Sequence, residues 1–243
     1  MTFQTLEYLI FLPLTFILYW TLCRGNKTLQ NGLIVIASLI FYGWWDWRFL
    51  GLLLLTAFST FFAGDLMGKT EDPKKRKLIS IGAILLNLGI LFFFKYFNFF
   101  VQAFIDAFSL FGADVEVSTL NILLPVGISF YTFSALSYSI DVYQKKVEPT
   151  KDILAYLAYV MFFPSILSGP ISRAQKTLPQ YFESRSFNYD VAVAACKAIL
   201  IGAVMKLCLA DRLAIYVNTI YSNIDQHNGT TLLFTSILYT LQI

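Results

Sequence analysis

The sequence is poor in charge. Asp, Glu, Lys and Arg make up 14% of its 243 residues, against about 25% in an ordinary soluble domain. Hydrophobic residues make up 57%, aromatic residues 17%, and the mean hydropathy is +0.65. A soluble fold of this composition would need an implausibly large dry core, so the chain reads as an all-α, polytopic integral membrane protein. The net charge is only +3, and the basic residues sit in short loops instead of along one face. That argues against nucleic acid as a partner. Cysteine is scarce and scattered: Cys23, Cys196 and Cys208 fit neither a disulfide framework nor a metal-ligand spacing, and read as small packing residues. There is one histidine, His227. It has no second ligand at metal spacing and lies in a polar turn, so it is not favoured as a catalytic base. No internal repeat or low-complexity segment is present, and residues 1–243 read as a single membrane domain.

What is present is a series of apolar runs. Residues 6–23 form the first, with no basic n-region or small-residue cleavage site to make it a signal peptide. Residues 33–47 and 49–67 form the next two, separated by Tyr42, Trp44, Trp45, Asp46 and Trp47, an aromatic density typical of a membrane–water interface. Lys69, Lys74, Lys75, Arg76 and Lys77 then mark a cytoplasmic loop. Counting back places Arg24 and Lys27 on the same side and the N-terminus outside.

Residues 78–94 give a fourth span. An interfacial helix is expected at residues 95–111, where Lys95, Asn98, Gln102 and Asp106 recur at near-helical spacing. Asp114 and Glu116 fall outside. Residues 120–143 make a fifth span that returns to Lys145, Lys146 and Lys151 inside. Residues 191–209 are a further span, and residues 232–243 begin another. About seven to eight membrane helices are expected in all. The last run reaches only ~18 Å at 1.5 Å per residue, so the chain reads as the N-terminal part of a larger domain.

Residues 153–167 are too short to cross: 15 residues rise ~22 Å, against a hydrocarbon core of about 30 Å. Pro164, Ser168, Gly169 and Pro170 break the run before Arg173. Each proline removes a backbone donor, and irregular backbone at membrane depth survives only where protein or a water-filled cavity satisfies it. The stretch is read as a re-entrant or broken segment near residues 164–170 that shapes a cavity; the alternative is a loop just outside the bilayer.

Polar residues recur where lipid would not tolerate them. Gly127, Tyr131, Ser134, Tyr138 and Asp141 fall in one stripe about 80° wide on a helix of 100° per residue. Such a stripe lines a cavity or makes interhelical hydrogen bonds. Ala195, Ala198, Gly202 and Lys206 share another face. Lys206 either snorkels or pairs with a carboxylate, with Asp65 and Asp211 as candidates. Asn26-Lys27-Thr28 and Asn228-Gly229-Thr230 match the glycosylation pattern but carry little weight.

Several of these pieces, in this order, resemble the membrane-bound O-acyltransferase superfamily, in particular its bacterial alginate O-acetyltransferase-like branch. They are Pro125-Val126-Gly127-Ile128-Ser129-Phe130-Tyr131-Thr132-Phe133, Tyr138-Ser139-Ile140-Asp141-Val142-Tyr143, Phe162-Phe163-Pro164, Ser168-Gly169-Pro170-Ile171-Ser172-Arg173, and Lys206 with Ala210-Asp211. The resemblance implies a multi-pass enzyme of the bacterial cytoplasmic membrane that uses no bound cofactor or metal. Its acyl donor, acetyl-CoA or another acyl thioester, would approach from the cytoplasm. Its acceptor would be an extracytoplasmic polymer or an accessory acyl-transfer protein. The essential histidine of the family lies beyond the matched segments, so no catalytic residue is assigned in this chain. Gly127, Tyr131, Ser134, Tyr138, Asp141, Pro164, Ser168, Gly169, Pro170, Arg173, Lys206 and Asp211 are the expected cavity or substrate path. A transporter or flippase subunit and a non-catalytic membrane scaffold are the competing readings. An inverted repeat would favour transport, and none is found.

Overall fold

The computed structural model describes residue 3, residues 5–110 and residues 124–243. Every regular element among them is helical. The sequence forms α1 (Leu6–Thr21), α2 (Lys27–Asp46), α3 (Leu50–Gly68), α4 (Pro73–Leu110), α5 (Ile128–Tyr143) and α6 (Ile153–Val160), then α7 (Tyr189–Val204), α8 (Asp211–Tyr221) and α9 (Gly229–Gln242). Among the described residues, three helical runs are long and apolar enough to cross a membrane: Lys27–Gly68, which contains α2 and α3, Pro73–Ala103, and Tyr189–Tyr221. The protein is an all-α membrane protein. The chain divides into two compact units, Met1–Ser186 and Phe187–Ile243.

In the first unit, helix starts and stops follow from local chemistry. Asn26 caps α2 by accepting from the Thr28 and Leu29 amides at 3.0 and 3.2 Å, which satisfies two donors that the first turn leaves free. Asp46 ends α2 and accepts from the Arg48 amide at 3.0 Å, opening a 3-10 turn, Trp47–Phe49, into α3. The interfacial helix expected at residues 95–111 is instead a continuation of α4, which runs unbroken from Pro73 to Leu110, with no proline after Pro73 to interrupt it. Residue 111, Asp114 and Glu116 lie outside the described residues. The fifth span is also shorter than expected. Residues 120–123 are outside the described residues, and the helix starts only at Ile128, after Pro125 and a left-handed Gly127 with φ +77°.

The basic segments gather at one end of this unit. The Arg76 guanidinium, at the start of α4, donates to the Met67 carbonyl at 2.6 Å and the Val142 carbonyl at 2.9 Å. One cation thus caps the C-terminal turns of both α3 and α5, where carbonyls lack helical partners. Gly68 lies against Pro149, and the Lys27 ammonium donates to the Phe182 carbonyl at 3.1 Å. The tryptophans at residues 44–47 lie at the opposite end of α2.

The core is built on α5, which packs against α3 and α4, and on α6, which packs against α2. Five tyrosines (Tyr42, Tyr131, Tyr138, Tyr156 and Tyr159) are among its largest fully buried side chains. Most of their hydroxyls are tethered. Tyr156 Oη lies 2.6 Å from Thr60 Oγ1, and Tyr138 Oη accepts from the Thr150 amide at 3.0 Å. Tyr159 donates toward the carbonyls of Ser134 at 2.9 Å and Ser172 at 2.8 Å. Gly64 lets the Tyr138 ring in, since a Cβ there would lie 2.6 Å from Tyr138 Cε1.

The second unit begins with one 33-residue helical run, Tyr189–Tyr221, comprising α7, a π-helical turn (Met205–Ala210) and α8. Asn228 caps α9, accepting from the Thr231 amide at 3.0 Å, and Tyr221 Oη lies 3.0 Å from Ser236 Oγ. Both Asn-x-Thr sequences are therefore helix caps.

Gly127 offers a test of the core. A Cβ there would sit 2.2 Å from the Ile166 carbonyl oxygen, and φ is already in the region that L side chains avoid. Gly127→Ala should cost about 2–4 kcal/mol, read as a lower unfolding midpoint in detergent micelles. Gly82→Ala, where nothing lies within 4 Å, should leave the midpoint where it is or raise it.

Candidate functional site

The break after α6 positions the site. α6 ends at Val160, Phe163–Ile166 forms one further turn, and Ala174–Thr177 and Leu178–Tyr181 are short turns leading back to the basic end. Backbone released from a helix must find partners inside the protein. Ser38 Oγ, on α2, accepts from the Phe163 amide at 3.1 Å. Ser137 Oγ, on α5, accepts from the Ala174 amide at 3.2 Å. Tyr159, on α6, supplies the donor to Ser172 described above. Three neighbouring helices thus hold one irregular stretch.

Between this stretch and α1–α2 lies a cavity of about 820 Å³. Its apolar walls include Leu12, Phe16, Trp20, Ile34 and Phe162, and its polar groups include Arg173, Lys176 and Arg185. Phe163 lies at its inner side, edge-on to Phe11 and tilted against Phe41, with ring centroids 5.3 and 5.7 Å apart. Arg173 and Lys176 are exposed. Arg185 is held more tightly. Its guanidinium lies over the rings of Tyr19 and Tyr181, 5.6 and 5.4 Å from their centroids, and donates to Asn31 Oδ1. Asn31 in turn donates to the Tyr181 carbonyl at 2.9 Å. Burial pushes the Tyr181 phenol above its ordinary pKa, while the Arg185 charge opposes the shift.

Of the residues singled out from sequence, Pro164, Pro170 and Arg173 line this cavity. Ser168 and Gly169 lie in the same stretch without being among its walls. The stripe on α5 is not a wall of it either. Gly127 touches Ile166, the Ser134 carbonyl receives Tyr159, Tyr131 meets Tyr42 edge-on at 6.1 Å, and Tyr138 packs against Gly64. Asp141 Oδ2 lies 3.5 Å from Ser137 Oγ. The stripe therefore backs the broken segment and neighbouring helices. In the second unit Lys206 Nζ pairs with Asp211 Oδ1 at 2.8 Å. A spacing of five would separate them by about 140° on an α-helix, but i and i+5 come together in a π-helical turn. The other candidate partner, Asp65, pairs with Lys69 at 2.5 Å. His227 sits in the turn before α9, and among the described residues no cluster of His, Cys, Asp and Glu could hold a metal ion.

Sequence reasoning gave Lys176 and Arg185 only a place in a polar stretch at the cytoplasmic face, and assigned no site role to them, Tyr19 or Asn31. Arg185 stands 12 residues after Arg173 in a polar stretch, and only folding places α1 and α2 against it. The signal available was the pair Gln30 and Asn31, amides inside an apolar run. Both bind this segment, Gln30 Nε2 donating to the Arg185 carbonyl at 3.3 Å.

This combination defines a multi-helix membrane protein whose broken segment walls a cavity with cationic groups. Comparison with curated proteins carries the assignment further. The chain is 31% identical over 238 residues to a probable alginate O-acetylase AlgI of Pseudomonas putida, covering 96% of this chain and 47% of that protein. It is 34% identical over 207 residues to the corresponding protein of Pseudomonas aeruginosa, covering 84% and 39%. It is 26% identical over 261 residues to the peptidoglycan O-acetyltransferase of Helicobacter pylori, covering 96% and 49%. No family model and no solved structure matches. The chain spans about half the length of the curated relatives it matches. Over that half, it is similar to proteins named alginate O-acetylase and peptidoglycan O-acetyltransferase.

The Arg185 node has a measurable consequence. Arg185→Lys removes the planar contact with two rings and the donor to Asn31. Amide exchange over residues 178–185 should then speed roughly tenfold, while exchange in α3 stays unchanged.

Proposed function

We propose that this polypeptide is part of an enzyme that transfers an acyl group, acetyl by its kinship, to a hydroxyl of a cell-envelope polysaccharide or of a carrier protein that serves it. The observation that carries the reading is the similarity, over 96% of this chain, to proteins named for O-acetyl transfer to two different polymers. The geometry supports it. The broken segment, which bears the motif Ser168-Gly169-Pro170-Ile171-Ser172-Arg173, walls a cavity near the end where the basic segments gather. In the bacterial cytoplasmic membrane that end faces the cytoplasm, and the N-terminus lies outside.

On this reading an acyl thioester such as acetyl-CoA comes from the basic side. Arg173, exposed at the cavity, positions its anionic portion, and the apolar walls take its uncharged arm. The acceptor hydroxyl attacks the thioester carbonyl and loses its proton to a general base, the ester forms, and the thiolate leaves. The base is the family's histidine, outside the segments matched here. The residues of this chain hold and orient the donor. Pro164, Gly169 and Pro170 keep the segment out of a regular helix, and the α5 stripe from Gly127 to Asp141 holds it in place. The pair of Lys206 and Asp211 lets a charged side chain sit within an apolar helical run.

Membranes carrying the natural enzyme should transfer labelled acetyl from a thioester donor to envelope polysaccharide. Arg173→Ala should raise KM for the donor about fivefold with kcat nearly unchanged, as expected for loss of one exposed ionic contact. A lowered kcat at constant KM would remove Arg173 from donor binding, and absence of transfer by the natural enzyme would overturn the reading.

A further inference from the structure

Three cations, Arg173, Lys176 and Arg185, line the cavity, and no Asp, Glu or His is among its walls. None of the three belongs to an ion pair among the described residues. Arg185 Nε is buried and has no hydrogen-bond partner, a costly state for part of a charged group. Three cations with no carboxylate facing them therefore call for an anion in the cavity.

The remaining walls specify more. Leu12, Phe16 and Trp20 from α1, Ile34 from α2, and Phe162 give hydrocarbon and aromatic surface. A free anion such as inorganic phosphate would leave that surface uncovered. α1 is also the outer wall, with Leu9, Ile10, Leu14 and Ile17 on its other faces exposed, as expected of a helix against acyl chains. The cavity lies near the end where the basic segments gather, the level at which anionic headgroups concentrate.

We propose that this cavity binds the phosphate head of an anionic membrane lipid. Arg173, Lys176 and Arg185 hold the phosphate, and part of an acyl chain lies between α1 and the turn at Phe162. The Arg185 guanidinium, pinned by Tyr19, Tyr181 and Asn31, is the fixed element; Arg173 and Lys176 close from the exposed side. Because lipid and donor share Arg173, bound lipid lowers the apparent affinity for the donor. That consequence rests on the acyltransferase reading, whereas lipid binding itself does not.

The natural protein, reconstituted in nanodiscs of phosphatidylcholine with a minority of phosphatidylglycerol and then released for native mass spectrometry, should retain one phosphatidylglycerol. Arg173→Ala with Lys176→Ala, both exposed and outside the core, should weaken retention about 30-fold. Leu12→Trp, which fills the chain-binding part, should also displace the lipid. Equal retention of phosphatidylcholine, unchanged retention in the double variant, or full displacement by millimolar inorganic phosphate would overturn the proposal, the last by showing a site for the free anion. Donor KM measured with and without phosphatidylglycerol separates the two claims. Retained lipid with no effect on KM would leave the binding site standing and remove the competition.

Discussion

The structure of the first unit depends on satisfying the backbone where α6 stops. A chain that abandons helical hydrogen bonding inside an apolar protein must have each freed group met by a neighbour. Here the neighbours are two serine hydroxyls and a tyrosine: Ser38 for Phe163, Ser137 for Ala174, and Tyr159 for Ser172. Each sits on a different helix, so the positions of α2, α5 and α6 are tied to one another through the irregular stretch. The cavity is a consequence of this arrangement.

The tyrosines extend the same logic into the core. A phenol supplies a large apolar face and one polar atom, so buried tyrosines fill space while reaching for a particular partner. Tyr138, Tyr156 and Tyr159 pack in sequence, with centroids 4.6 and 6.3 Å apart, and each hydroxyl reaches a different element. Gly64 and Gly127 are the counterparts of this packing: one gives a ring room, and the other lets α5 approach a carbonyl.

Much of this was legible in the chain. Composition alone led to an all-helical membrane protein, and the clustering of Lys and Arg in loops anticipated that these loops share one end. Pro164, Gly169 and Pro170 marked the break because each violates a helical rule that hydrophobic periodicity cannot override. Other features depend on pairs of residues that meet only after folding. The continuity of α4 through Lys95 was hidden because a polar residue in an amphipathic pattern looks the same whether a helix ends or proceeds. The pairing of Lys206 with Asp211 was open because α-helical spacing separates them, and the local change to a π-helical turn leaves no compositional mark. The role of Arg185 was hidden for a similar reason. Its rings and amide come from α1, α2 and the turn before it, and no local pattern around residue 185 names them.

The dispersal of Ser38, Ser137 and Tyr159 over three helices bears on how such a protein can change. Residues 161–174 look like a cassette, a short irregular insert between regular elements. They are not one. A chimera receiving only this stretch from a relative would import amides and carbonyls without the hydroxyls that answer them. The inheritable unit is the stretch together with the neighbouring Tyr159 and two distant serines, so recombination within α2 or α5 can damage the cavity as surely as an exchange of the segment itself.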